Sequence, residues 1–273
     1  MKKFFKEYKF IILSFLILLS WGLYEIYSSF KMYPYLLESN DLLLLVDGMI
    51  YDTNLHNLQM IGPLFIIIPT VLTFNRYLHT GYIKNLLMRD KYKNIITKLY
   101  LKCLLCSLIF PAFIIILYFV CGIITNNFNI IVDSKIYLEI SSISGSYISN
   151  IGLFMFIYLL NLMLHSILYI NIAIIFCKKY SNVFISIILG YLGYIFLELI
   201  IEVPIAVFVV RVLGIKNLIY DFSLSTVWIY NLQTISLTTF TIYSFILVCL
   251  SCIVVYLVYK NKEGVINAIE REN

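Results

Sequence analysis

The sequence predicts an all-α membrane protein: six transmembrane helices, both termini cytoplasmic, an amphipathic N-terminal helix and a broken outer hairpin between the fifth and sixth spans, all in one domain over residues 1–273. Three observations lead there. Hydrophobic residues make up 62% of the 273 and charged residues only 13%, with a mean hydropathy of +0.93, whereas soluble domains are about half apolar and about a quarter charged. The apolar residues gather in runs long enough for a hydrocarbon core of about 30 Å, which takes roughly 20 helical residues to cross. The Lys and Arg residues cluster at alternate ends of those runs, as charges retained on the cytoplasmic side do.

The first element is residues 1–12. At about 100° per residue, Phe4, Phe5, Tyr8, Ile11 and Ile12 share one face, and Lys2, Lys6 and Lys9 share the opposite one. That is the pattern of a helix lying on the inner membrane surface; a plain basic flank ahead of a span reads the same way. The spans are expected at 10–27, 60–78, 99–124, 151–177, 183–201 and 240–259. The first leads into no small-residue cleavage site, so it is expected to be an anchor rather than a removable signal.

With the amino terminus inside, the inner segments hold sixteen of the twenty basic residues, and the outer ones only Lys31, Lys135, Arg211 and Lys216. Seven lie between Arg76 and Lys102 alone. Trp21 and Trp228 fall near the outer boundary, where interfacial anchors sit. The outer linkers 28–59 and 125–150 are polar enough for water, and the 42–46 stretch is expected to pack as a short amphipathic element. Pro69 and Pro111 lie inside the second and third spans and favour kinks there.

The stretch 183–213 has 31 residues, about 46 Å of helix, too long for one crossing. Glu198, Glu202 and Pro204 interrupt it, so a bend is expected near Ile201. The apolar residues 203–213 are then left to re-enter or lie on the outer leaflet.

The formal charge of +5 does not point to nucleic acid, because the basic residues sit beside apolar runs and not on one soluble face. The six cysteines lie within or at the ends of apolar runs and do not form a disulfide framework. Cys103/Cys106 and Cys249/Cys252 have CxxC spacing but no neighbouring His or acid to complete a metal site, so they read as small buried side chains. There is no phosphate-binding GxxxxGK[ST] loop, no HExxH helix and no GxSxG elbow, so no catalytic, cofactor or metal residues are assigned. Sixteen Lys against four Arg, with only four Ala, suggest an AT-rich bacterial genome and hence a bacterial cytoplasmic membrane.

The segment 74–98 reads as a span end, a glycine, a short amphipathic helix, a polar turn and the start of the next span. It resembles the loop between the second and third spans of type-2 ABC exporter permeases. In that family an aromatic/Arg span end leads to Gly-x-(Ile/Leu)-(Lys/Arg), then to apolar residues, a polar turn and a Lys. Here those places are taken by Phe74 and Arg76, by Gly81, Ile83 and Lys84, by residues 86–88, by residues 89–91 and by Lys98. Two positions depart from the pattern. Leu78, His79 and Thr80 stand where an acid often precedes the glycine, and Arg89-Asp90-Lys91 replaces the usual Pro or Ser of the turn.

The resemblance implies a coupling helix (Gly81, Ile83, Lys84, Leu86, Leu87, Arg89 and Lys91) docked on a separate ABC ATPase subunit, through which ATP and Mg act. It also implies a second permease subunit, identical or related. A basic loop that merely obeys the charge rule is the plainer reading of the same residues.

Within the spans, Asn161 and His165 are one turn apart and should face protein, as part of a substrate path or proton relay or as an interhelical hydrogen bond. Glu198 and Glu202 share a face and, with Arg211, are expected to pin the outer hairpin or to gate an exit. The function implied is export of a hydrophobic, amphipathic or peptide-like substrate, a drug or an antimicrobial peptide, driven by the partner ATPase. The alternatives are a non-transporting immunity or assembly protein and an ion-coupled carrier.

Overall fold

The structure, a computed structural model, describes residues 2–38, 42, 45, 46, 58–79, 86–88, 90–128, 151–208 and 237–261. Its elements are helical throughout: α1 (Lys2–Met32), a 3-10 turn (Pro34–Glu38), α2 (Leu58–His79), α3 (Tyr92–Leu104), a second 3-10 turn (Leu105–Leu108), α4 (Ile109–Thr125), α5 (Ile151–Cys177), α6 (Val183–Phe208) and α7 (Leu237–Tyr259). Four stretches are long and apolar enough to cross a membrane, namely Tyr8–Met32, Ile61–His79, Tyr92–Thr125 and Met155–Cys177; Val183–Leu197 and Ser244–Tyr259 are shorter apolar helices. The outer surface is apolar as well. Leu16, Phe119, Phe184, Phe196, Phe245 and Leu257 are each more than half exposed, which a water-soluble monomer rarely tolerates over a contiguous area. The chain is a membrane-embedded helical protein.

Two boundaries differ from expectation. Residues 2–12 are not a separate surface helix. α1 runs unbroken over 31 residues, because no Gly or Pro precedes Gly22 to interrupt it, and Ile11 already packs against the core. α6 carries on past Ile201, through Glu202 and Pro204, to Phe208. Proline removes one amide donor and crowds one carbonyl, and an apolar environment that leaves the backbone no water to bond favours continuing the helix nonetheless. The rest of the expected outer hairpin, beyond residue 208, lies outside the described residues.

α5 is apolar on almost every side, as a helix surrounded by others must be, and packs against α2, α4, α6 and α7. Its partnership with α7 is in parallel. Asn161 bonds Thr241, Asn171 bonds Ser251 and Lys178 bonds the Val258 carbonyl, each pair 80 residues apart, so the two helices advance together. α6 turns back between them in sequence, starting at Asn182, whose Oδ1 accepts the Phe184 amide at 2.9 Å as an N-cap. Small residues let α6 close on its neighbours. A Cβ on Gly193 would lie 2.8 Å from the Phe176 ring, and one on Gly190 3.3 Å from Ile67 and 3.4 Å from the Ala173 backbone, the close approach that membrane helices use in place of hydrophobic drive.

Pro69 and Pro111 are accommodated differently. Pro69 has no amide to give the Phe65 carbonyl one turn back, and Ser14 of α1 supplies the missing donor, its hydroxyl lying 2.7 Å from Phe65 O. Pro111 crowds the carbonyl of Ser107, and the chain there tightens into the 3-10 turn between α3 and α4. At its far end α4 closes with Asn126 in the left-handed region (φ 51). Asn127 N–H donates to Gly122 O and Asn126 N–H to Ile123 O, a Schellman pattern in which Asn is tolerated. Of the linkers expected to lie outside, Leu42, Leu45 and Val46 are helical and buried in the core, as a one-sided short element requires. Cys103, Cys106, Cys121 and Cys177 are buried, whereas Cys249 is exposed on the outer face of α7 and Cys252 is half-buried.

Candidate docking end and the seam between α5 and α7

One end of the bundle gathers the start of α1, the end of α2, the start of α3, the turn after α5 and the end of α7. The sequence explains why these ends adhere, because each presents polar groups where a helix leaves its terminal carbonyls unbonded. At the end of α2, Asn75 Nδ2 donates to Tyr180 O at 3.1 Å and His79 Nε2 lies 2.8 Å from Cys177 O. At the end of α7, Val258 O accepts Lys178 Nζ at 2.6 Å and Tyr259 O accepts the Tyr92 hydroxyl at 3.0 Å. The Tyr259 hydroxyl in turn donates to Ile174 O at 2.9 Å. Lys102 of α3 stands between the rings of Tyr8 and Tyr77, 5.0 and 5.1 Å from their centroids, and donates to the Tyr77 hydroxyl at 3.0 Å. These bonds tie five helices together over this part of the bundle.

The segment expected to dock a partner hangs from this end. Leu86 and Leu87 are half-buried and pack against the bundle's own core, while Met88 is 79% exposed. Among the described residues it is thus Met88, not Leu86 or Leu87, that offers an apolar side chain outward. Lys91 is exposed and sits at the N-cap position of α3 without a capping side-chain bond. Gly81, Ile83, Lys84 and Arg89 lie outside the described residues.

Asp90, which replaces a turn-forming Pro or Ser in the resemblance, braces the return. Its Oδ2 meets Lys98 Nζ at 2.6 Å, and its Oδ1 accepts Asn94 Nδ2 at 3.0 Å and the Lys91 amide at 2.8 Å. The Lys98 hydrogen bond, then those from Asn94 and Lys91, hold its carboxyl down at about 2.

Deeper in, Asn161 and His165 both face protein, each 2% exposed. Asn161 Nδ2 donates to Thr241 Oγ1 at 2.9 Å, and His165 Nδ1 lies 3.0 Å from its own helix's Asn161 carbonyl. Glu198 and Glu202 fall within α6, but their side chains, like Arg211, lie outside the described residues, and so does the pairing expected of them.

Further along the same seam is a residue the sequence reading did not single out. Asn171, 0% exposed, accepts the Tyr100 hydroxyl at 2.8 Å, donates to Ser251 Oγ at 2.7 Å and approaches Cys252 Sγ at 3.4 Å. It joins α3, α5 and α7. The signal was available, since an amide inside an apolar span is costly unless it finds partners, and Asn171 lies ten residues beyond Asn161 on the same helix. Comparison with protein-family models, with curated proteins and with solved structures finds no match for this chain.

Proposed function

We propose that the chain is the permease subunit of an ATP-driven exporter, crossing the bacterial cytoplasmic membrane six times with both termini in the cytosol. It would work as a pair of membrane subunits, identical or related, above two ABC ATPase subunits that bind the ATP and Mg. The cargo fitting such an apolar, weakly charged bundle is hydrophobic, amphipathic or peptide-like, a drug or an antimicrobial peptide.

The observation that carries this reading is the anchoring of the 80–91 segment. It emerges from α2, whose last turn is bonded to the α5–α6 turn, and re-enters at Tyr92, whose hydroxyl holds the last carbonyl of α7. A push delivered to these flanking ends therefore reaches three other helices, as a mechanical coupling requires. The basic residues around it, Lys91, Lys93, Lys98 and Lys179, are exposed and suit an acidic partner surface.

The test is co-purification in gentle detergent followed by an ATP-hydrolysis assay. Gly81→Pro, or Lys84→Glu with Arg89→Glu, should abolish stimulation of the partner's ATPase while membrane insertion is normal. Full stimulation by these variants would refute the docking assignment.

A further inference from the structure

The two asparagines of α5 are paired to different degrees. Asn171 uses both ends of its amide, the oxygen accepting from Tyr100 and the nitrogen donating to Ser251. Asn161 uses one. Its nitrogen donates to Thr241, while Oδ1, in a side chain 2% exposed, has no hydrogen-bond partner. Buried polar atoms in folded proteins are paired almost without exception, and an orphaned acceptor in an apolar medium calls for a donor that arrives from elsewhere.

Its surroundings define that donor. The side chain projects into the α5–α7 seam, where it bonds Thr241, and Tyr158, His165 and Ser244 on the same two helices are also buried. Neither 151–177 nor 237–259 contains an Asp, Glu, Lys or Arg. An ammonium group would find no counter-charge on either helix of the seam, which a low dielectric disfavours.

We propose that Asn161 Oδ1 is an acceptor site for a neutral N–H or O–H donor entering the α5–α7 seam, supplied either by water or by an amide or hydroxyl of a transported molecule. Only the second source rests on the export reading. The acceptor site stands or falls without it.

The test uses the full chain in phosphatidylcholine vesicles with no ATPase present, so a failed export reading leaves it intact. Ser244→Cys, on the buried face of α7, should react with aqueous 2-hydroxyethyl methanethiosulfonate, a neutral O–H donor, well above the background of the unmodified protein. Adding Asn161→Leu should slow that reaction about tenfold by removing the acceptor that admits polar groups. Inert Ser244→Cys, or a rate indifferent to Asn161→Leu, would overturn the proposal.

A second variant separates a ligand site from a structural tie. Asn161→Leu alone should melt at the wild-type temperature or above it, and a drop of several degrees would overturn the site. Finally, N-acetyl-trileucine amide assigns the donor. Slower labelling in its presence places the donor on a solute, an unchanged rate places it in water, and either is a neutral donor at Asn161.

Discussion

Replacing Asn171 with leucine should be among the most destabilising single changes in the membrane-embedded part of this protein. Leucine has the branched outline of asparagine and is the larger of the two, so no cavity opens and the loss is one of hydrogen bonds. Two short hydrogen bonds are lost, from Tyr100 at 2.8 Å and to Ser251 at 2.7 Å. Interhelical bonds in membranes contribute about 0.6 kcal/mol on average and up to about 1.7, so the pair is worth about 1–3 kcal/mol. The Tyr100 hydroxyl then keeps only the Cys252 sulfur at 3.5 Å, a weak acceptor, which adds about 1 kcal/mol for an under-bonded buried donor.

A loss of about 2–4 kcal/mol is therefore expected for Asn171→Leu. The assay is reversible unfolding in mixed micelles by denaturing detergent, followed by circular dichroism. A double-mutant cycle with Ser251→Ala isolates the pair and should return a coupling of about 0.6–1.7 kcal/mol. Asn171→Leu within 0.5 kcal/mol of wild type, or a coupling near zero, would refute the view that this residue locks three helices; the first threshold is about the error of additivity.

The proline accommodation makes a conditional prediction. Ser14→Ala should cost about 1 kcal/mol in the wild type, where it strips the Phe65 carbonyl of its donor, but much less in a Pro69→Ala background that restores the helical amide; equal costs in both would show that Ser14 does not serve that carbonyl. The Asp90 brace is a carboxylate whose folded pKa lies below its ordinary value of 3.8 at about 2. Its contribution is thus complete above the unfolded value and is lost as pH falls from about 4 through about 2. The protection factors of the Lys91 and Asn94 amides, taken relative to intrinsic exchange at each pH, should fall across that window in the wild type and stay flat in Asp90→Asn; a change centred above pH 5 would implicate another group.

Much of the architecture was legible because a bilayer imposes a length on apolar runs. Five of the six expected spans each fall within one helix, while the third, 99–124, covers the end of α3, the 3-10 turn and α4; four stretches are long and apolar enough to cross a membrane. What escaped depended on pairings between distant residues. Nothing near Ser14 in the chain says that its hydroxyl serves a carbonyl freed by Pro69. Asn171 has the composition of any lone polar residue in a span until Tyr100 and Ser251 are seen beside it. Asp90 read as a departure from a turn pattern, because its role lies in reaching eight residues forward to Lys98. The unbroken α1 and α6 were missed for the opposite reason. Amphipathicity and proline argue locally for breaks, while the absence of competing water in an apolar medium argues for keeping the ladder of backbone bonds.

The distribution of bond types decides how such a bundle can move. Apolar side chains in lipid gain little from one register over another, whereas a polar pair in a low dielectric must be kept or exchanged for an equal partner. α3, α5 and α7 are joined by the Asn171 network and by Tyr92 and Lys178 at the docking end, so sliding α7 by one turn would set Asn171 against Val255 or Leu247 and leave its nitrogen unbonded. They are bound to move as one body. α1 meets α4 where Gly22 admits the Phe113 ring, and α6 meets α5 at Gly190, Gly193 and the Tyr169–Tyr194 ring pair at 4.9 Å. Those are contacts that tolerate a small rotation. Under the export function proposed above, a force arriving at the ends of α2 and α3 would shift the α3–α5–α7 body as a whole, and strain would be relieved at the glycine-lined faces of α1 and α6.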